Sequence, residues 1–140
     1  MALPNGSNPQ VDGVWFRPYL VTPDDATPAV IGQNAIPANA KVVQVGTVTN
    51  DADDWITLPS LADVPNGHEI IILCSAGGNF ELRTPATSAE EINSEDCDGT
   101  KEYLCTDTQV VKVIKINNTI GWMAHGYSAI GAVVTAVVPD

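Results

Sequence analysis

Proline and glycine limit every element of this chain to a few residues. Ten Pro and eleven Gly punctuate its 140 residues, and helical patterning is nearly absent. What lies between them is short and β-branched. Lys41–Thr49 (KVVQVGTVT) has a polar/apolar beat, and Glu69–Cys74 (EIIILC) is a continuous apolar run suited to a strand covered on both faces. Asn79–Arg83 (NFELR) alternates, and Gln109–Ile116 (QVVKVIKI) sets Val111, Val113, Ile114 and Ile116 around Lys112 and Lys115. The tail GAVVTAVV reads as a further strand. The connectors carry matching turn chemistry: Pro65-Asn66-Gly67, the hairpin-length Ser75-Ala76-Gly77-Gly78, and Asn117-Asn118-Thr119. Ser88 and Glu91 have capping-box spacing, which predicts one helical turn at most over Ser88–Ile92. The expected fold is all-β, with six to nine short strands in a single antiparallel sandwich or partly closed barrel.

A mass of 14.7 kDa suits a single core. Residues 1–40 differ in composition from the rest, holding more than half of the prolines, and read as an extended N-terminal arm ahead of a β domain over 41–140. Proline suits such a segment to edges and extended contacts rather than to central strands. Trp15, Phe16 and Tyr19 form an aromatic island within it (VWFRPYLV, 14–21) and call for packing, either on the domain's own core or on a neighbouring chain. The C-terminal run AIGAVVTAVV (129–138) leaves a sticky edge if exposed on a monomer. Burial of Val133, Val134, Val137 and Val138 at a three-fold axis removes that liability; so does a place as a strand inside the chain.

Six Lys+Arg against 17 Asp+Glu give a net charge of −11. That balance argues against a nucleic-acid partner, which needs clustered cations, and against an anionic membrane surface. The start, MALPNGSNPQ, has neither the basic region nor the apolar stretch of a secretory signal, and the longest apolar run is about half a membrane span. Cys74, Cys97 and Cys105 form no CxxC pair and read as reduced structural thiols; a Cys97–Cys105 bridge closing a short loop is the other reading the sequence allows.

No catalytic signature stands out. His68 and His125 are each alone in sequence and read as packed or surface side chains, with no nucleophile elbow nearby. Asp51, Asp53 and Asp54, and then Glu95, Asp96 and Asp98, make two acidic loops. Neither has the EF-hand spacing, and solvated turns explain them better than a calcium site. Glu90 and Glu91 are adjacent on a loop, a poor glycosidase dyad. With no secretory signal visible, the acceptor patterns at Asn5 and Asn117 read as accidental. No metal or other cofactor is expected.

Three segments taken together, GGNFELRTP (77–85), INSEDCDGTKEYLC (92–105) and NNTIGWMAHGYSAIGAV (117–133), resemble small β-rich structural proteins of tailed bacteriophages, of the head decoration (cement) and head-fibre type. In such proteins an ELR(T/S)P-like strand is followed by a polar loop, a Val-rich strand and a GW-containing strand. The resemblance covers about residues 54–135 and does not extend to the arm. It implies a virion protein made in the host cytoplasm and seated as a homotrimer on the outer capsid surface. Its partner would be the major capsid protein, and it would have no enzymatic activity. An arm anchored by Trp15, Phe16 and Tyr19 would then serve as the capsid or subunit contact. The alternative within the same resemblance is a receptor- or glycan-binding knob of a fibre, using Trp122, Tyr127 or the 86–101 loop.

Overall fold

The computed structural model describes residues 18–23, 33–46, 54–74, 77–86, 88–99, 101–128 and, as backbone, 133–134. Eleven strands follow one another along these residues: β1 Tyr19–Val21, β2 Val42–Val45, β3 Trp55–Thr57, β4 Glu69–Leu73, β5 Phe80–Arg83, β6 Glu91–Ile92, β7 Glu95–Asp96, β8 Tyr103–Cys105, β9 Val110–Asn117, β10 Gly121–Tyr127 and β11 Val133–Val134. The all-β expectation holds. One 3-10 turn, Leu61–Asp63, interrupts them.

The strands form two sheets. The larger runs β1-β2-β4-β9-β10-β6-β7 with β11 also on β10, and the smaller runs β3-β5-β8. Antiparallel pairing holds its centre, β4–β9–β10, and the β5–β8 pair. Parallel pairing joins β1–β2, β2–β4, β10–β6 and β3–β5. Both sheets feed one apolar core, in which Val43, Ile70, Ile72, Val111, Val113 and Trp122 from the large sheet join Ile56, Phe80, Leu82 and Tyr103 from the small one. From residues 1–40, Val21, Ile36 and Ala40 also enter this core, and β1 lies at the sheet edge, where the neighbouring Pro18 costs no ladder bond.

Local chemistry explains the joints. Asn117 Oδ1 accepts from the amides of Thr119 (2.8 Å) and Ile120 (2.7 Å), closing the β9–β10 hairpin before Gly121 at φ 82°. A Cβ at Gly121 would run into the carbonyl of Glu91, so this close approach admits only glycine. The helical turn expected over Ser88–Ile92 is not formed. Glu91 and Ile92 are drawn into β6, and Asn93 and Ser94, both at positive φ, make a tight hairpin into β7. The Asn93 side chain then bonds both the carbonyl (3.1 Å) and the amide (2.9 Å) of Ala124, fastening that hairpin to β10. Glu90 instead caps the 3-10 turn, accepting from Ser60 Oγ (2.7 Å) and the Leu61 amide.

Candidate interaction surface

Register decides which side chains share a face, because strand residues alternate sides. Across the large sheet, Leu20, Gln44, Leu73, Val110 and Tyr127 stand side by side in one row spanning five strands. A second row holds Val42, Ile71, Lys112 and His125; a third holds Glu69, Ile114 and Met123. All of them point away from the core. Leu20 is 60% exposed, Val110 40%, Tyr127 38% and Ile71 37%. Eight of these twelve positions are apolar, and the five-strand row is about 20 Å across at normal strand spacing. Isolated exposed apolar residues are ordinary; a contiguous patch of this size marks a contact site more often than chance.

The continuous apolar run of β4 predicts a strand covered on both faces. In this chain it is covered on one: Ile70 and Ile72 are fully buried, whereas Glu69 and Ile71 face solvent. The electrostatics of the exposed face are also distinct. Among its twelve positions the only full charges are Glu69 and Lys112, which pair at 2.8 Å across adjacent strands. In a chain of net charge −11, this surface is close to neutral, which lowers the desolvation cost of covering it.

The other positions singled out by sequence lie elsewhere. Trp15, Phe16, Asp51, Asp53, Val137 and Val138 fall outside the described residues. Tyr19 sits in β1, 39% exposed, with its hydroxyl donating to Asn39 Oδ1 at 3.1 Å. Val133 and Val134 form β11 and pair antiparallel with Tyr127 and Gly126 of the same chain. Trp122 is fully buried, so it is unavailable to a distal binding surface. Glu95, Asp96 and Asp98 line an open shallow depression with Lys101, which pairs with Glu95 at 2.5 Å. Among the described residues no group of three or more His, Cys, Asp or Glu side chains is arranged to hold a metal ion.

The titratable groups of the interior are structural. His68 accepts from Lys41 Nζ at Nδ1 (3.1 Å) and donates from Nε2 to the Ala40 carbonyl (3.1 Å), an assignment forced by the lysine having only protons to offer. Burial, and then the Lys41 charge, lower its pKa, against the opposing pull of the Ala40 carbonyl. All three cysteines are free and buried. Burial pushes the Cys97 thiol up to about 11 and the Tyr103 hydroxyl to about 12, so both stay protonated at neutral pH. Cys97 lies beside Thr84, whose amide donates to its carbonyl, while Cys105 pairs with Phe80. Phe80 opens β5 and Thr84 follows its end, about 13 Å away at strand rise, too far for a Cys97–Cys105 bridge. Arg83 ties the small sheet together: it lies 4.1 Å over the Trp55 ring and pairs with Glu81 (2.5 Å) and Glu102 (3.2 Å).

Compared with protein-family models, curated proteins and solved structures, the chain matches none.

Proposed function

We propose that this chain is a non-enzymatic structural protein of a tailed-phage virion, a decoration protein that docks on the outer capsid surface as a homotrimer and stabilises the shell. The observation that carries the reading is the outer face of the large sheet, apolar over five strands and nearly neutral within an acidic molecule. A broad sheet face spanning five strands suits a broad shell surface. It supplies the desolvated centre of an interface whose full size, roughly 800 Å² per partner, would be reached with the surrounding polar rim. The motif resemblance over residues 54–135 supplies the virion setting.

In this reading stabilisation is by mass action: a ligand that binds only the assembled shell makes shell disassembly less favourable. High negative charge elsewhere keeps the free protein soluble at the concentrations assembly demands. The arm carrying Trp15 and Phe16 extends the grip to a neighbouring subunit or shell protein, and the valines of 133–138 contribute to the trimer. A fibre knob draws less support, since Trp122 belongs to the core.

Two experiments test this. Light scattering on the purified protein should give three times 14.7 kDa; a monomer at all concentrations removes the trimer. Co-sedimentation with shells of the encoding phage should saturate for the wild type and drop at least tenfold for Leu20→Glu/Val110→Glu. Deletion of residues 2–17, which leaves β1 in place, should weaken binding while the domain stays folded. Undiminished binding by both variants would overturn the docking role of the face and the arm.

A further inference from the structure

We propose that Cys74 and Cys105 form a disulfide site, a redox-made cross-link that ties the large sheet to the small one. Cys74 follows β4 of the large sheet directly and Cys105 ends β8 of the small sheet. The turn between Cys105 and β9 folds back onto Cys74. The Thr108 amide donates to the Cys74 carbonyl at 2.7 Å, and the Cys74 amide donates to the Gln109 carbonyl at 3.0 Å. That clasp sets Cys74 against the turn leading out of Cys105, and both thiols lie in the one apolar core, each no more than 1% exposed. The Cys74 thiol is near enough to act on Cys105 electrostatically. Cys97 lies at the far end of β5 and cannot compete. The pairing therefore differs both from the reduced thiols that the sequence predicts and from the Cys97–Cys105 bridge that it leaves open.

The oxidant is a low-molecular-weight disulfide such as oxidised glutathione. One protein thiol, as its thiolate, attacks the glutathione disulfide, forming a mixed disulfide and releasing one reduced glutathione. The second protein thiol then displaces the other glutathione, so the protein gains one S–S bond and the oxidant takes up two electrons and two protons. Burial raises the Cys105 pKa well above its ordinary value, which keeps the closed protein inert at neutral pH. Exchange thus proceeds when the 106–109 turn opens or while the chain folds. Because the bond closes a long loop and joins two sheets, it restricts the unfolded chain strongly.

The test is refolding of urea-unfolded, reduced protein in a graded glutathione redox buffer, followed by alkylation and tryptic mapping. Cleavage after Lys41, Arg83, Lys101 and Lys112 places the three cysteines in three separate peptides. The expected result is a linked pair of peptides 42–83 and 102–112, with Cys97 alkylated and an intact mass lower by about 2 Da. The unfolding equilibrium constant should fall roughly a hundredfold relative to the reduced protein. A link that includes Cys97, glutathione held on the protein as a mixed disulfide, or three alkylated thiols at the most oxidising ratio would overturn the proposal. Cys97→Ser, which leaves the pair intact, should still yield the linked peptides.

Discussion

The two faces of the large sheet are made from the same strands and similar residues, yet only one of them is covered. On β4, Ile70 and Ile72 enter the core while Ile71 between them stays in solvent; on β9, Val111 and Val113 are buried while Val110 is 40% exposed. The charged residues make the same contrast. Lys112 and Lys115 are three residues apart and so point to opposite faces. Lys112 pairs with Glu69 in solvent, whereas Lys115 is 4% exposed and donates to the carbonyls of Leu61 (2.6 Å) and Val64 (2.8 Å). The inner lysine closes the end of the 3-10 turn, a role that a buried apolar residue could not fill. The outer face spends apolar residues where a free monomer gains little from them, and that excess is what an interface explains.

Paired substitutions probe this contrast, the strongest first. Ile72→Ala should cost about 3 kcal/mol in urea unfolding, and Ile71→Ala less than about 1 kcal/mol, since only the first opens a cavity. Equal costs would mean that the outer face is packed within the chain itself. Lys115→Met should cost about 2 kcal/mol by stranding two buried carbonyls, while Lys112→Met should leave stability unchanged. A neutral Lys115→Met would break the assignment of that side chain as a cap. The smallest effect is pH dependence at His68. Its folded pKa lies below the unfolded value, so its contribution is fully present above about pH 6.5 and declines as pH falls toward the folded pKa. The urea midpoint should therefore drop between pH 7.5 and 5.5, and His68→Gln should flatten that drop. An unchanged slope in the variant would assign the acid sensitivity elsewhere.

Much of the fold was legible because local signals agreed. EIIILC, NFELR and QVVKVIKI became β4, β5 and β9, and Asn117-Asn118-Thr119 became their expected kind of turn. What misled was a signal with two outlets. Ser88 and Glu91 have the spacing of a capping box, but β10 offered an open edge, and pairing of Ile92 with Trp122 outweighed one helical turn. The Asn93-Ser94 hairpin lacks the usual Asn-Gly, so no turn signal announced it. The outer face was half visible: an apolar run without alternation requires two covered faces, which composition cannot assign to one chain or to two. One inward lysine was likewise implied by the spacing of Lys112 and Lys115, although the spacing alone does not choose between them. The clasp at Cys74 was invisible, since it depends on two sheets meeting.

In the proposed function the outer face is covered in the assembled particle. Hydroxyl-radical footprinting of Leu20, Ile71, Val110, Met123 and Tyr127 tests it most directly, comparing the free protein with protein bound to shells. The expected result is ready labelling of all five in free protein and at least a tenfold drop on shells, with Ala62 and Pro65 at the 3-10 turn unchanged. Labelling of the five at the same rate in both states would contradict the account.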